Sequence, residues 1–340
     1  MPPLTATTDV AIVGAGLAGA ACARRLHELG LGVLIVDKGR RPGGRLATRV
    51  ESHGTYDHGC QHFTASSEAF RERIDQLVDT GSAAVLTTPT YALHAGDRRP
   101  VTASVPRYVG VPGNSAVVEA ELHGLHDSGN VSVHCGVRVN QCRRSEGRWH
   151  LDTGDGHDLP AARALVVTVP APQLPPLIGA THPIARRAAT IRTSACWTLL
   201  MALDQRLDLP FDLAFIDGSA LTWAAREPSR PGRSGKERWT LHATAEWSEE
   251  HLEGDPQDVS RMLLAAFSRD VARLPGSPAA LVAHRWRHAF VENPLTDGAF
   301  LDDERHLAAC GDWCLLGNVE GAWRSGRLAA EKVAALLARD

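Results

Sequence analysis

Gly14, Gly16 and Gly19 lie between the apolar run 10–13 and a stretch whose apolar residues recur at helical spacing, and the next apolar run, 33–36, ends on Asp37. That order predicts strand, tight turn, helix and parallel strand, the βαβ unit that binds a dinucleotide. Gly14 allows the turn, Gly16 lets backbone approach a pyrophosphate, Gly19 lets helix and strand pack closely, and Asp37 can accept ribose hydroxyls. Leu17 and Ala18 open the helix, whose unpaired N–H groups and partial positive charge face the phosphates. A glycine-rich turn alone is a weak signal. Here the strand before it, the helix after it and the acidic residue about 20 positions on are all present.

The residues after Asp37 bear on which dinucleotide is bound. Lys38 follows the ribose-binding strand, and a second glycine-rich loop, Gly43-Gly44-Arg45-Leu46-Ala47-Thr48, comes next. An NAD-binding domain has no need of this loop, whereas a flavin dinucleotide lying extended across the domain needs a second backbone approach near its pyrophosphate. The segment resembles the Gly-Gly-Arg-x-x-Thr stretch of the FAD-containing amine oxidase superfamily. The resemblance sharpens at Tyr56-Asp57-His58-Gly59-Cys60-Gln61-His62-Phe63-Thr64, at Tyr108-Val109-Gly110-Val111-Pro112-Gly113-Asn114-Ser115, and at Cys310-Gly311-Asp312-Trp313-Cys314 with the following segment 319–326. Together these motifs are similar to the bacterial type of the renalase-like branch, and the likeness runs from end to end of the chain. They are specific for FAD and much less specific for substrate.

The resemblance implies an α/β fold: a Rossmann-like FAD-binding domain of the glutathione-reductase/amine-oxidase type, with an inserted α+β substrate domain built on an antiparallel sheet. Residues 1–88, 108–175 and 300–340 are expected to form the discontinuous FAD-binding domain, and 89–107 and 176–299 the substrate domain. It also implies non-covalent FAD, with Cys314 inside a flavin motif but not attached to the cofactor. Beyond the first βαβ unit, the resemblance assigns Gly44 and Arg45 to the cofactor, the backbone around Val139 to the adenine end, and His58, Gly59, Gln61, His62 and Phe63 to the flavin lining. Gly311 and Asp312 are expected at the ribityl chain or pyrophosphate. The start of the last helix, Glu320-Gly321-Ala322, is expected at the isoalloxazine N1 and O2 edge, where a helix dipole stabilises the negative charge of reduced flavin. Two positions depart from the pattern: Asp37 stands where many FAD proteins have glutamate, and Asn114 where the family's Pro-Gly-x-Ser stretch has methionine, a change that bears on the substrate pocket.

Bulk properties are those of an ordinary globular enzyme. The chain has 340 residues, 44% hydrophobic and 22% charged, enough for two cores. A formal net charge of −3 gives no reason to expect nucleic acid or an anionic membrane as partner. The opening residues lack a basic region followed by an apolar one, and no apolar stretch reaches membrane-spanning length, so the cytoplasm is the expected location. Seven cysteines without a CxxC pair favour neither a disulfide framework nor a zinc knuckle, and the histidine spacings give no metal site.

Apolar spacing predicts helices over 68–80, 115–126, 257–273 and 320–338, with Ala329, Val333, Leu336 and Leu337 on one face of the last. Strands are predicted over 131–139, around Trp149 and Leu151, and over 164–169, where Pro170 ends a β-branched run; the proline-rich stretch 170–183 then marks the crossing to the substrate domain. Strands over 195–203, 221–226, 238–245 and 280–289 compose a second sheet, and 307–310 returns to the first. The stretch 230–236, rich in Pro, Gly and Ser, reads as an exposed hairpin loop.

The chemistry follows from what the substrate domain offers and lacks. Many amine-oxidising relatives carry a lysine near flavin N5 and an aromatic cage in the C-terminal segment. This chain has only Lys38, Lys236 and Lys332, and its tyrosines are Tyr56, Tyr91 and Tyr108. A dihydronicotinamide gives up hydride directly, needing orientation rather than a base. Renalase-like proteins are associated with oxidising misplaced-hydride isomers of NAD(P)H to NAD(P)+ with O2, yielding hydrogen peroxide, and the resemblance implies that activity here. The alternative is a FAD amine oxidase, or another carbon-substrate dehydrogenase with a different electron acceptor; a flavoprotein kept as a redox-sensing module is the non-enzymatic reading. His242, Trp286 and, more weakly, Trp223 are the candidate substrate wall, since indoles stack on nicotinamide-like rings and an imidazole can donate to a carboxamide. Each is equally readable as a core residue. Arg226, Arg285 and Arg287 are either phosphate ligands or a solvated face.

Overall fold

The computed structural model of the chain describes residues 8–125, 129–154 and 156–339. The opening segment 1–7 and the expected helix end at His126 lie outside them. The first sheet is built on parallel strands in the spatial order Val131–Cys135, Val33–Asp37, Thr8–Val13, Ala162–Val167 and Leu307–Ala309. The buried runs of its three central strands, 10–13, 33–36 and 164–167, are Val, Ile, Leu and Ala throughout, as in strands covered on both faces. Ala162–Val167 carries two extensions on its outer edge: Arg148–Asp152 then Gln141–Ser145 at its start, and Phe300–Asp302 beyond Leu307–Ala309 further along; these three strands pair antiparallel.

Helices Leu17–Glu28 and Val319–Leu337 cover one face together with Ser115–Leu122. Two glycines set their closeness: a Cβ on Gly19 would stand 1.9 Å from the Gly14 carbonyl oxygen, and one on Gly326 would stand 2.1 Å from that of Ala18. The opposite face is covered by the short helices Leu174–Ile178 and Pro183–Ala188, which bury Leu174, Leu177, Ile184 and Ala188 beneath the sheet. The stretch 176–191, expected with the substrate domain, therefore packs on the first sheet. The reason is that the doubly covered sheet has a second apolar face to shield, and this is the nearest chain with apolar residues to do it. The strand expected over 131–139 ends at Cys135, because Gly136 and Val137 turn to donate their N–H groups to Gly39 and Asp37 carbonyls.

The second sheet has the order Ala280–Val291, Thr193–Ala202, Arg238–Ala243, Leu221–Arg226, Leu213–Asp217, Thr90–His94 and Asp97–Pro100. Every neighbouring pair is antiparallel except Leu213–Asp217 beside Thr90–His94. The last three strands had no clear alternation in sequence, and the charged edge Asp97–Pro100 carries almost no apolar signal. Helix Pro256–Asp270, capped by the Asp255 carboxylate with proline at its first position, lays Val259, Leu263 and Phe267 on Trp197, Leu199, Trp239 and Leu241. Strand alternation turns Cys196, Thr198 and His242 to the opposite face, toward the first domain.

The stretch 230–236 connects two antiparallel strands and is exposed at Gly232 and over 234–236, as expected of a hairpin loop, but its two arginines turn inward. Arg230 is 3% exposed, and the Arg233 side chain is equally buried; both pair with Glu227 and Asp57, Arg233 Nη2 lying 2.7 Å from Asp57 Oδ2. Glycine and proline signals report the turn, whereas of the two carboxylates that draw the arginines inward Glu227 stands three residues before Arg230 and Asp57 comes from a distant part of the chain. Arg226 is likewise neither a phosphate ligand nor a solvated residue: it is buried against Asp212 and Glu237, its guanidinium over the Trp239 ring. Among the described residues no helix is long and apolar enough to cross a membrane, and no group of three His, Cys, Asp or Glu side chains is placed to hold a metal ion.

Gly326→Ala is expected to wedge the last helix off the first and destabilise the protein by about 1–3 kcal/mol. Urea unfolding with an unchanged midpoint would refute this account of the helix pair.

Candidate active site

A cavity of about 1770 Å³ runs from the carboxyl ends of the first sheet's parallel strands to the free face of the second sheet. The ends of such strands are where open α/β sheets bind nucleotides. Gly14, Gly16, Leu17, Ala18, Asp37 and Lys38 line this end. Gly14 has φ +114° and sits against Thr168, so its role is the turn itself. Gly19 is off the wall and serves only close packing. Gly16 differs: a Cβ there would meet nothing nearer than 3.9 Å, so the protein's own packing does not demand glycine, and the room lies on the cavity side. Asp37 accepts the Ala15 and Gly39 N–H groups, both at 2.6 Å, one on each oxygen. Each oxygen keeps a lone pair for a ribose hydroxyl. Lys38 Nζ reaches Gln173 Oε1 at 3.0 Å, and Val139 lines the wall from an irregular segment rather than a strand.

Gly44 and Arg45 form the opposite lip, Arg45 donating to Asp312 Oδ1 at 2.5 Å and to the Ala289 carbonyl at 3.3 Å. That arginine joins the second glycine loop, the Gly311-Asp312 turn and the second sheet. The last helix presents Val319 and Ala322 to the cavity, with Asn318 as its N-cap accepting from the Gly321 N–H. Glu320 and Gly321 are not on the wall. The Glu320 carboxylate, almost wholly buried, accepts the Ser66 and Ser67 N–H groups at 2.7 and 2.9 Å, and a Cβ on Gly321 would stand 1.8 Å from the Leu315 carbonyl oxygen. Helical spacing puts 319 and 322 on one face and turns 320 away. Asn114 is fully buried and joins Gly110 N–H to the Cys60 carbonyl, so the departure from methionine acts on loop packing, not on the cavity wall. Cys314 is buried off the wall, its thiol pushed up by burial.

The far end is a chamber of rings. His58, His284 and Trp286 cluster with ring centroids 4.5 to 4.9 Å apart, and His62 lies 5.3 Å from Trp223, which meets Phe215 edge-on. Gly59, Gln61, Phe63 and His242 complete the wall, so all three candidate substrate residues face one space. Both indole N–H groups are held by protein: Trp286 donates to the His58 carbonyl at 2.9 Å and Trp223 to Gln61 Oε1 at 3.0 Å. Gln61 Nε2 lies 3.3 Å from His242 Nε2, and Arg230 donates to the Gln61 carbonyl at 2.8 Å and to its side-chain oxygen. Burial holds the imidazoles neutral: His58 is pushed down to about 3, with His284 and Arg49 adding to the effect, and His62, His242 and His284 to about 4.

His284 was the residue the sequence should have surrendered. Period-2 alternation puts 284, 286 and 288 on the cavity face of strand Ala280–Val291 and turns Arg285 and Arg287 to the helix face, where both pair with Glu253. Arg49, Phe215 and Thr222 also line the cavity and carried no motif. None of the three lysines is at the ring end: Lys38 is beside Asp37, Lys236 is in an exposed turn, and Lys332 donates to the Ala299 carbonyl.

A family model described as flavin containing amine oxidoreductase matches residues 106–334, and one described as NAD(P)-binding Rossmann-like domain matches residues 12–79. Lysine-specific histone demethylase 1 homolog 1 of Oryza sativa subsp. japonica is 52% identical over 48 residues, which are 14% of this chain and 6% of that protein. The fold is similar to that of cyclohexylamine oxidase from Brevibacterium oxydans IH-35A, at TM-score 0.74 and 13% identity over 98% of this chain and all of the other. It is also similar to wild-type putrescine oxidase bound to putrescine, at TM-score 0.70 and 13% identity over 96% and 99% of the two chains. A protein provisionally assigned as protoporphyrinogen oxidase, from Exiguobacterium sp. 255-15, gives TM-score 0.76 at 11% identity over 97% and 99%.

The wall suits an extended flavin dinucleotide. Open room above Gly16 and the Arg45 guanidinium suit phosphate, acceptor capacity on Asp37 suits a ribose, and a buried His58 Nδ1 with no hydrogen-bond partner among the described residues suits a ring edge. Gly16→Val is expected to leave the apoprotein's urea midpoint nearly unchanged while the purified protein loses most of its flavin absorbance; full FAD content would remove Gly16 from the cofactor site. With the family model covering more than half of the sequence, the chain belongs to the flavin containing amine oxidoreductase family, and its cofactor is FAD.

Proposed function

We propose that this protein is an oxidase of dihydronicotinamide isomers of NAD(P)H, returning them to NAD(P)+. FAD, when bound, supplies the hydride acceptor and passes the electrons to O2 to give hydrogen peroxide. The observation that carries this reading is the ring chamber: neutral imidazoles and indoles, no lysine, and no carboxylate without a cationic partner at that end. An amine substrate arrives as an ammonium ion, which needs a base and an attractive field. Imidazoles held near 3 to 4 are poor bases for it, and Arg49 repels it. A dihydronicotinamide needs instead a flat surface and an oriented polar group. Trp286 and Trp223, their N–H groups already satisfied, offer ring faces, and His242 offers a nitrogen to a carboxamide.

The test is anaerobic addition of α-NAD(P)H, or of borohydride-generated dihydronicotinamide isomers, to the yellow protein, followed by air. Bleaching, then recovery of colour with peroxide formation, is expected. A flavin that stays oxidised with these donors but bleaches with amines overturns the reading. His242→Ala and Trp286→Ala should each slow bleaching by about tenfold or more at unchanged FAD content; loss of FAD would assign the residue to packing.

The neutral histidines also predict a pH dependence. Their folded values lie below the unfolded value of about 6.5, so between pH 6.5 and 4 the unfolded chain binds more protons and stability falls as pH falls. Above pH 6.5 this penalty is absent. Each fully expressed histidine contributes a slope of about 1.4 kcal/mol per pH unit. Urea unfolding between pH 7 and 5 should show the loss, and a His58→Gln/His242→Gln variant should flatten it; an identical slope in that variant would exclude these groups.

A further inference from the structure

The cavity is larger than the roughly 300–1,000 Å³ of ordinary small-molecule pockets, leaving volume beyond that of one such ligand. The cations on its wall are unequally committed. Lys38, Arg40, Arg41 and Arg138 line the end beside Asp37, where the cofactor is expected; Arg45 is held by Asp312 and the Ala289 carbonyl, and Arg285 and Arg287 turn across the sheet to Glu253. Arg49 stands at the ring end, on strand Thr48–Glu51, and its ion-pair partner is Glu51, two residues on. Both side chains are about one-third exposed and both line the cavity. Its charge reaches His58 and His284, helping to hold both neutral. Such a half-exposed pair contributes little stability, so an incoming phosphate can take over the guanidinium fork, to which it is better matched than a single carboxylate oxygen.

We propose that Arg49 is the anion-binding residue of the substrate site: it receives a phosphate of the dinucleotide and sets a preference for phosphorylated over phosphate-free dihydronicotinamides. This rests on the activity proposed above. Glu51 holds the guanidinium in place until substrate displaces it.

The experiment measures half-saturating concentrations for anaerobic flavin bleaching by borohydride-reduced NAD and by borohydride-reduced nicotinamide riboside, which lacks phosphate. In Arg49→Gln the preference for the dinucleotide over the riboside should fall by about tenfold or more, the loss expected for one charged hydrogen-bond donor, with Arg49→Lys restoring part of it. Glu51→Gln should raise the preference. An unchanged preference in Arg49→Gln, or equal losses for both donors, overturns the proposal. If neither donor bleaches the wild type, the activity reading fails, and the anion site is judged by inorganic pyrophosphate binding to the holoprotein, read by tryptophan fluorescence. Weakened pyrophosphate binding in Arg49→Gln supports the anion site, and equal binding in both proteins overturns it.

Discussion

Four buried charges hold the two domains in register. Asp57 and Glu227 face Arg230 and Arg233 in a cluster whose side chains are almost wholly excluded from water. Burial pushes the Glu227 carboxyl up against the pull of both arginines. Each member also grips a different element. Asp57 Oδ1 accepts from Thr48 Oγ1 at 2.7 Å and from the Asn114 N–H at 2.9 Å, Glu227 accepts from Thr240 of the second sheet, and Arg233 donates to the Pro112 carbonyl. Removing one partner from such a cluster costs about 3–5 kcal/mol, because the other is left buried and unpaired. The second glycine loop, the stretch 108–115 and the second sheet are thereby fixed relative to one another.

The ring chamber inherits its rigidity from this cluster. Arg230 fixes both oxygens of Gln61, Gln61 fixes the Trp223 indole and lies against His242, and the His58 carbonyl accepts from Trp286 and Thr198. The wall is thus assembled from residues far apart in sequence, each held by hydrogen bonds that leave its flat face uncovered. Holding side chains in one rotamer before substrate arrives is how a protein contributes to a reaction whose electron sink is supplied by a cofactor.

How much of this was legible in the sequence follows from the range of each interaction. The βαβ unit, the second glycine loop and the Gly311-Asp312 turn are local patterns, and the structure brings Gly14, Gly16, Asp37, Gly44, Arg45 and Asp312 to one cavity. Glu320 and Gly321 stand in the right segment but on the wrong face, because a motif names a stretch of helix and the helix phase decides which residues it exposes. Arg230 and Arg233 looked exposed because the glycines and proline around them describe only backbone, while Asp57, their partner, is more than 170 residues away in the chain. His284 was recoverable by alternation from Trp286, whereas Arg49 is singled out only by the fold, which sets it beside His58 and His284 with an ion pair to a residue two positions on to hold it.

The same contrast explains why family membership fixes the cofactor and leaves the substrate to the walls. Residues that hold FAD answer to fixed chemistry, so their types and spacing are constrained: glycine where a phosphate must approach backbone, a carboxylate where a ribose must be bound. The substrate end has no such constraint under the proposed activity, because hydride transfer from a dihydronicotinamide would ask for no nucleophile, metal or tuned acid. What distinguishes one substrate from another there is field and shape: the neutrality that burial imposes on four histidines, and the position of a guanidinium paired with a carboxylate two residues on. An ammonium and a phosphorylated ring respond to that field with opposite sign, so under the proposed activity the charge at residue 49 is a sharper discriminator between the two substrate classes than any single ring in the chamber.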